Sequence, residues 1–557
     1  FAQYAEEVTD RHIERLKQGR NLGYWNTGVY VLGETSKDIT TVSGMLRSVY
    51  SGSESFLEPI RLHVLREDSG ALSMVKNKFD LIPLVNEEAR RIEGYDYAHD
   101  EWHLFGRAYQ YLSTPMNTKE LSLTTSLPRR DVPGLRFVKT AVRFANNPAV
   151  LTGDAITLGK VVDTGVVQNN DYRIDPNALV RHALVTGGTG SGKSTTCKGI
   201  IRELLDRHIP ALIIEPAKDD YVRWALDMNR TLPPEQQFQI YMPGVASFEG
   251  AALQPLRLNP FEPACVPGAR VDLLSRSENL SMLINACLPS EEVVPILIDE
   301  TIFETIQRFA GDALEEDCEP LPAYPKVDDL IEMSKEVMAR KTYAARNKDN
   351  FLEILGTRFQ YLRRGTRGRI LNCSKSTDFS QLFGRPAVVN ISRLAGAKDK
   401  ALIMSLLMLS LYEYRMSAYA YDPAYRAQAQ ANRLLHLTVV EEAHNVLANP
   451  PASSLGAGNP QQASADLFSN MLSEIRGYGQ GLLIVDQIPT KLIPDVIKNT
   501  NYKIAHRLTA PDDCEVIASG MALRDDQRSI IPALEPGNAI ICGDMDDAAA
   551  WVRLNKN

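Results

Sequence analysis

The sequence has few of the features that mark a disulfide-stabilised, zinc-binding or membrane-spanning protein. Its seven cysteines in 557 residues show no CxxC spacing and no pairing with the nine histidines, so neither a disulfide framework nor a zinc site is supported. The longest uncharged apolar run, Ala401 to Tyr412, has 12 residues and is too short to cross a bilayer. Scattered thiols are typical of a reducing compartment. We therefore predict a cytoplasmic protein without an integral membrane segment.

A signal peptide and an excess of positive charge are also missing. The chain begins with Phe1 rather than Met, so we expect its natural N-terminus to be missing. The 69 acidic residues outnumber the 61 Lys and Arg, which gives a formal net charge of −8 and argues against a histone-like coat of positive charge. Nucleic acid is not excluded as a partner, because a protein can confine its basic groups to a channel.

The most informative segment is GGTGSGKS at 187–194, which satisfies the P-loop (Walker A) pattern. It follows an apolar run and leads into a plausible helix start, which is the context that the motif needs. Its glycines let backbone N–H groups surround a phosphate at a helix N-terminus. Lys193 would reach the outer phosphates, and the Ser194 hydroxyl would ligate Mg²⁺. The residues predicted to bind the nucleotide are Gly187, Gly188, Thr189, Gly190, Ser191, Gly192, Lys193, Ser194 and Thr195.

A second motif resembles the Walker B strand of a P-loop ATPase. An apolar run at 434–440 ends in the acid pair Glu441 and Glu442, followed by Ala443 and His444. Glu441 would hold the hydration shell of Mg²⁺, at a position where Asp is more usual, and Glu442 would orient and deprotonate the attacking water. The alternative is an ordinary acidic strand end. We interpret His444 as a structural polar residue.

The next strand-like run, 481–485, ends in Asp486 and Gln487, and we predict that Gln487 senses the γ-phosphate of ATP. An additional strand between Walker A and Walker B, with a separate catalytic Glu, marks the branch of P-loop enzymes that includes ring-shaped motors. Hydrolysis in such rings needs a cation from the neighbouring subunit. Arg476 is the first candidate for that cation and Arg507 the second. The alternative for each is a surface or ion-paired arginine.

Together these motifs resemble the HerA/FtsK superfamily of DNA-translocating ATPases, with HerA-like proteins as the nearest branch and the conjugation ATPases of type IV secretion systems as cousins. The resemblance covers about 150–557. It implies a homohexameric ring that threads double-stranded DNA, uses ATP and Mg²⁺, and works with a partner nuclease or other effector in DNA end processing or antiphage defence. Glu215 stands where the family often has Asp. The segments that carry the resemblance are GGTGSGKS, LIIEPAKDDY (212–221), LRLNPFEP (256–263), the EEAH end and RGYGQGLLIVDQ (476–487).

Two other functions remain open. The first 145 residues do not resemble the short β-barrel typical of HerA and look more like the leading domain of the conjugation-type relatives. The chain could therefore be a conjugation or secretion motor that docks on an envelope complex. It could also be a nucleotide-gated scaffold for an effector, with slow ATP hydrolysis that is indifferent to DNA.

The predicted fold class is α/β: a RecA-like P-loop core with a mostly parallel sheet, a helical insertion and a smaller α+β N-terminal domain. In the first region, TGVYVLGE (27–34) is predicted as a strand. The predicted divisions are an N-terminal domain at 1–145, the first part of the core at 146–264, the helical insertion at 265–375 and the second part of the core at 376–557. The candidate core strands are HALVTG, PALIIE, RPAVVNIS, LLHLTVVEE, GLLIVDQ, YKIAHRL and NAIICG.

Two segments are candidates for contact with DNA. The insertion is charge-polarised, with 13 acidic and 3 basic residues at 291–335 and 8 basic and 2 acidic residues at 341–370. The arginines at 358–369 could bind phosphates or pair with the acidic stretch, and we favour pairing because charge runs more often form ion-paired faces. The low-complexity segment 449–466 could face the pore or be a disordered surface loop.

Overall fold

A computed structural model of the protein describes residues 1–51, 114–125, 142–147, 151, 153–289, 293–314, 316–449 and 460–555. The chain divides into two compact units, Phe1–Lys139 and Thr140–Asn557. Of the described helices, none combines the length and the apolar composition that crossing a bilayer requires.

The first unit combines helices with a short β-ladder. Its elements are α1 (Ala2–Leu22), β1 (Tyr24–Thr27), α2 (Ser36–Ser51), β2 (Thr114–Asn117) and α3 (Thr118–Thr125). Strands β1 and β2 pair antiparallel. A forked ion pair joins α1 to α3, with Arg15 Nε 2.5 Å from Glu120 Oε1 and Nη2 2.8 Å from Oε2.

The prediction of a strand at 27–34 is wrong beyond its first residue. Strand β1 ends at Thr27, which pairs with Thr114 at the start of β2. In the described part of the chain no strand lies beside 28–34. An apolar β-rich run forms a strand only where a neighbour accepts its backbone hydrogen bonds, and composition alone does not reveal that neighbour.

The second unit is built on an 11-stranded sheet, which confirms the predicted α/β fold. Seven strands run parallel in the order β13-β5-β12-β11-β6-β10-β7, and β14, β15, β3 and β4 continue the sheet antiparallel beyond β13. The strands are β3 (Ile156–Asp163), β4 (Val166–Ile174), β5 (Ala183–Thr186), β6 (Ala211–Glu215), β7 (Gln239–Tyr241), β10 (Ala387–Asn390), β11 (His436–Glu441), β12 (Gln480–Asp486), β13 (Tyr502–Ala505), β14 (Asn538–Cys542) and β15 (Ala550–Leu554), with a separate hairpin of β8 (Ser247–Phe248) and β9 (Ala251–Ala252).

The central strands are apolar because both faces of the sheet are covered. Every residue of β5, β6 and β12 is buried, as expected for parallel strands between two layers of helices. Alternate residues of β12 contribute to different apolar cores: Leu482 and Ile484 to one, Leu483 and Val485 to the other. This alternation follows from the two-residue period of a strand.

Helices cover both faces and form the insertion between β9 and β10. Between 265 and 375 the described residues form five α-helices and one short 3-10 helix (Gly311–Leu314), and the helical insertion was predicted there. The helices of the second unit are α4 (Lys193–Leu205), α5 (Asp220–Asn229), α6 (Leu273–Cys287), α7 (Val294–Ala310), α8 (Val327–Arg340), α9 (Ala345–Arg363), α10 (Gly365–Leu371), α11 (Phe379–Gly384), α12 (Ala397–Tyr421), α13 (Pro423–Gln430), α14 (Pro460–Ile475), α15 (Pro494–Asn499), α16 (Pro511–Gly520) and α17 (Asp525–Arg528).

The arginines at 358–369 do not act as one group. Arg363 Nε lies 2.6 Å from Asp328 Oδ1, which is the predicted pairing with the acidic stretch. Arg367 pairs instead with Asp399 on α12. Among the described residues, the exposed Arg364 has no ion-pair partner. The predicted pairing therefore holds for one arginine and not for the cluster.

The other two arginines of this group also lack an acidic partner. Arg358 donates to the carbonyl oxygens of Leu288 and Pro289 at 2.8 and 3.1 Å, so its guanidinium closes the C-terminal end of α6. Arg369 is exposed, with no ion pair to any described residue. The second candidate for DNA contact is the low-complexity segment 449–466. Most of it, 450–459, lies outside the described residues.

Candidate nucleotide-binding site

The carboxyl ends of the parallel strands bring the predicted site residues to one edge of the sheet. Strand β12 lies between β5 and β11, so an additional strand does separate the two Walker motifs. The register pairs Asp486 with Thr186 and Glu441 with Val485. The P-loop, the acid pair and Gln487 therefore all begin at the same level of the sheet, where α/β proteins bind ligands.

The P-loop connects the end of β5 to Lys193, the first residue of α4. Gly187, Gly190 and Gly192 have φ values of 154°, 75° and 115°, which are disfavoured for residues with a Cβ. A Cβ on Gly187 would also lie 2.6 Å from His506 Cβ. The glycines are thus required both by the backbone path and by the close approach of His506.

Lys193 lies inside the loop rather than on the surface. Its side chain is buried, and Nζ donates hydrogen bonds to the carbonyl oxygens of Gly187 at 2.5 Å and Gly188 at 3.1 Å. Burial lowers the pKa of Lys193, while the carboxylates of Glu441 and Glu442 act in the opposite direction. The ammonium group is therefore held between the loop and the acid pair, close to where phosphates would bind.

A cavity of about 250 Å³ separates the loop from the acids. Lys193 and Ser194 line one side, and Glu441, Glu442 and Gln487 line the other. The structure thus brings together, from three strand ends, most of the residues predicted to contact nucleotide, metal and attacking water, whereas Gly187, Gly188 and Ser191 do not line the cavity. The remaining lining residues are Thr189, Gly190, Gly192, Thr195, Glu215, Ala217, Lys218, Asp220 and Tyr221.

Glu442 is joined to the P-loop through Gln487. The Gln487 amide Nε2 donates to Glu442 Oε1, and Gln487 Oε1 accepts a hydrogen bond from Thr189 Oγ1 at 2.8 Å. Glu442 itself has φ 48° and ψ 50°, a left-handed conformation that costs a non-glycine residue about 1–2 kcal/mol. Strain of this kind persists where the surroundings hold the residue in place.

His444 ties the turn after Glu442 to the end of β12. Its backbone N–H and its ring Nδ1 both lie within hydrogen-bond distance of Asp486 Oδ2, at 2.8 and 2.9 Å. The hydrogen bond with Asp486 raises the pKa of His444. The ring Nδ1 is 3.7 Å from Glu442 Oε2. Sequence reasoning assigned no role to Asp486, although it precedes the predicted sensor Gln487.

A second buried network surrounds Glu441. The Tyr221 hydroxyl donates to Glu441 Oε1 at 2.6 Å, and the Tyr221 backbone N–H donates to Glu215 Oε1 at 3.3 Å. Asn390 Nδ2 donates to Glu215 Oε2 at 2.9 Å. Burial raises the pKa of Glu441, and burial raises that of Glu215 to about 7. Sequence reasoning missed Tyr221 and Asn390; the only local signal was the position of Tyr221 within LIIEPAKDDY.

His506, also missed, packs beneath the P-loop. It is fully buried, and its Nε2 lies 3.0 Å from Thr196 Oγ1 on α4. Its backbone N–H donates to the Thr186 carbonyl at 2.8 Å. Burial lowers the pKa of His506 to about 4, so the ring is neutral at pH 7. His506 therefore supports the loop through packing and one hydrogen bond rather than through charge.

The two candidate arginines lie at opposite ends of the parallel strands: Arg507 follows the carboxyl end of β13, and Arg476 precedes the amino end of β12. The Arg507 carbonyl, just beyond the end of β13, accepts a hydrogen bond from Gly188 N–H at 2.7 Å. Arg476 lies in a turn just before β12, whose seven residues span roughly 20 Å. Both side chains are exposed and have no ion pair with any described residue. Arg476 therefore lies too far from Lys193 to act on a nucleotide in its own chain.

The oxygen atoms beside Lys193 suit a magnesium ion. Among the described residues, the Ser194 hydroxyl has no hydrogen-bond partner, and Glu441 Oε2 has none either. Both residues line the same cavity. Mg²⁺ prefers hydroxyl, carboxylate and phosphate oxygens and keeps several of its waters. The donor set therefore fits the ion that the sequence predicts, with Glu441 in the place of the more usual Asp.

The chain is similar to known proteins in sequence and in fold. Residues 156–409 match the family described as helicase HerA, central domain. The chain is 23% identical over 438 residues to the probable DNA double-strand break repair helicase HerA of Methanocaldococcus jannaschii, covering 74% of this chain and 78% of that protein. It is 24% identical over 444 residues to the DNA double-strand break repair helicase HerA of Sulfolobus acidocaldarius, covering 75% and 73%. Among solved structures, VirB4 of Thermoanaerobacter pseudethanolicus has a similar fold, with a TM-score of 0.53 and 15% identity over 74% of this chain and 99% of that one.

Proposed function

We propose that this chain, which is similar to HerA helicases in sequence, is a HerA-like ATPase that hydrolyses ATP to move double-stranded DNA. One observation carries the proposal: Lys193, Ser194, Glu441, Glu442 and Gln487 line a single cavity at the carboxyl edge of the parallel strands. A nucleotide-binding scaffold needs the P-loop, whereas a positioned carboxylate for the attacking water is needed only for hydrolysis.

The proposed mechanism assigns a separate task to each side of the cavity. The N–H groups of the P-loop and the Lys193 ammonium bind the phosphates and stabilise charge that develops on the leaving group. Glu442 accepts a proton from the attacking water, which Gln487 helps to orient. Ser194 and Glu441 would hold Mg²⁺, which neutralises phosphate charge when bound. Thr189 fixes the Gln487 carbonyl oxygen, so the sensor is set by the loop that binds the phosphates.

The position of Arg476 supports an assembly of several copies. Because this arginine lies about 20 Å along β12 from its own cavity, it can stabilise the transition state only from a neighbouring subunit. We propose a homohexameric ring in which the edge that carries Arg476 faces the cavity of the next copy. Head-to-tail contacts of this kind form a ring when the rotation between neighbouring copies closes. Arg507, at the cavity edge of its own chain, is the second candidate.

Mixing two inactive variants tests the shared site. Arg476→Ala keeps an intact P-loop and Lys193→Ala keeps an intact arginine, so each alone should lose hydrolysis. In randomly mixed rings about a quarter of the interfaces combine a working P-loop with a working arginine, and about that fraction of wild-type turnover should return. If rings shown to contain both variant chains hydrolyse ATP no faster than rings of either variant alone, the proposed role of Arg476 is contradicted. The same mixing experiment would then be repeated with Arg507→Ala in place of Arg476→Ala.

Double-stranded DNA is the proposed substrate of the motor, and the HerA relatives are named as DNA double-strand break repair helicases. We expect linear duplex DNA to stimulate ATP hydrolysis several-fold at low salt, where phosphate contacts are strongest, with Lys193→Ala as the blank. The sequence contains no nuclease motif, so we propose that a partner nuclease or effector supplies the chemistry on DNA in end processing or antiphage defence. Slow hydrolysis that ignores DNA at every salt concentration would instead favour the scaffold or the envelope-docked motor.

A further inference from the structure

A buried tyrosine hydroxyl holds the acid that ends β11. Tyr221 has 1% of its surface exposed, and its hydroxyl donates to Glu441 Oε1 at 2.6 Å. Its backbone is held at the start of α5, where its N–H donates to the buried Glu215. A hydrogen bond to a carboxylate in a dry site is among the stronger ones in proteins. Tyr221 therefore fixes one oxygen of Glu441 and the direction of the other.

The tyrosine ring cannot easily turn away from this partner. Lys198 Nζ on α4 lies 5.2 Å from the ring centroid, and the Trp224 ring contacts it edge-on at a centroid distance of 6.4 Å. Cys197, fully buried on the same helix α4, lies beside the hydroxyl. The hydroxyl thus has two hydrogen-bond partners within reach: the Cys197 thiol, which is a weak acceptor, and the Glu441 carboxylate, which is a strong one.

The length of the side chain at 441 matters for this contact. Position 441 is the last residue of β11 and pairs with Val485 in the ladder, so its Cα is fixed by the sheet. An Asp here would withdraw the carboxylate by roughly 1.5 Å, one carbon–carbon bond. The oxygen–oxygen distance to Tyr221 would then approach about 4 Å, beyond the range of a hydrogen bond. Of the two acidic residues, only Glu reaches Tyr221 from this strand end.

We propose that Tyr221 is a positioning residue for the magnesium ligand Glu441, and that this pair is the reason why Glu functions where Asp is more usual. By binding Oε1, the tyrosine leaves Oε2 without a protein hydrogen bond and available to the metal. The proposal rests on the proposed function of the site and adds one claim to it: Tyr221 and Glu441 act as a unit. Partners that orient a metal ligand commonly change metal affinity by 10–100-fold when they are removed.

The test measures binding of a fluorescent ATP analogue to the full chain as Mg²⁺ is titrated, which requires no hydrolysis. Tyr221→Phe removes only the hydroxyl and should raise the magnesium concentration for half-maximal binding by at least about 10-fold, while binding in excess chelator stays unchanged. Glu441→Asp should have a similar effect. The double variant should be no worse than Glu441→Asp alone, because residues that act through one contact are not additive.

Tyr425→Phe is the matched control. Tyr425 is half-buried, and its hydroxyl donates to the Tyr478 carbonyl at 2.7 Å. This variant therefore also loses one tyrosine hydrogen bond, but away from the cavity, and should keep the wild-type magnesium dependence. An unchanged magnesium requirement in Tyr221→Phe, or effects of Tyr221→Phe and Glu441→Asp that multiply fully, would overturn the proposal and leave the proposed function intact. Absence of any magnesium-dependent binding by the wild-type chain would overturn both.

Discussion

Replacing Glu442 by Gln removes the proposed base with almost no change in shape. Gln has the length and volume of Glu, and its carbonyl oxygen can still accept the hydrogen bond that Glu442 receives from Gln487. The left-handed backbone at this position is equally strained for both residues. We therefore expect the free energy of unfolding to change by less than about 1 kcal/mol. The binding of ATP, which depends on the P-loop, should also be preserved.

Hydrolysis, in contrast, should fall steeply. A positioned general base contributes about 10²–10⁴-fold, which corresponds to roughly 3–5 kcal/mol in the activation barrier. Steady-state ATP hydrolysis with saturating duplex DNA would measure this loss, and equilibrium binding of a fluorescent ATP analogue would show that the nucleotide still binds. The expected variant is a chain that binds ATP and retains it.

Glu353→Gln is the control for the loss of one carboxylate. Glu353 is exposed on α9 and has no hydrogen-bond or ion-pair partner among the described residues. Its replacement should leave turnover within about two-fold of the wild type, since such surface changes have small effects. If Glu442→Gln kept more than about a tenth of wild-type turnover, Glu442 would not be the base and the assignment of the acid pair would fail.

Two predictions concern stability. A Cβ on Gly159 would lie 2.1 Å from the Arg553 carbonyl oxygen across the β3–β15 ladder, so Gly159→Ala should lower the free energy of urea unfolding by about 1–3 kcal/mol. Gly356 has open space around it inside α9, so Gly356→Ala should raise that free energy by about 0.5–1 kcal/mol. Equal losses of stability in the two variants would refute this reasoning. Burial lowers the pKa of His182 and of His506 from 6.5 to about 4. Because the unfolded chain takes up these protons at higher pH, each histidine contributes stability that is complete above pH 6.5 and is lost as the pH falls toward 4, by on the order of 3 kcal/mol. His506→Gln should flatten the decline measured by urea unfolding between pH 7.5 and 5. An unaltered slope would show that this ring binds its proton equally well in the folded and unfolded states.

The core of the fold follows from local patterns in the sequence. Runs such as 183–185 and 481–485 are apolar throughout, which is typical of strands buried on both faces, and each is followed by a polar motif. Because parallel strands end at one edge of a sheet, the contact of Lys193 with the neighbourhood of Glu441 and Glu442 follows once these strands are predicted.

The contacts that complete the site could not be predicted, because they join residues that are distant in the sequence. Tyr221 meets Glu441 across 220 positions, and His506 reaches Thr196 across 310; neither contact leaves a local pattern. The strand predicted at 27–34 fails for the same reason, since strand formation depends on a partner. The run of arginines at 358–369 predicted a basic surface, but it could not show that Arg363 and Arg367 form ion pairs with different acidic residues.

Translocation along DNA is the central claim, and displacement of a third strand tests it most directly. A fluorescent oligonucleotide bound as a triplex at one end of a linear duplex is released when a motor arrives from the other end. The account predicts ATP-dependent release after a lag that grows in proportion to the length of the duplex, with no release by Lys193→Ala or Glu442→Gln. Translocation would be contradicted if the third strand were not released although duplex DNA stimulates hydrolysis. It would also be contradicted if the lag before release were the same for every length of duplex.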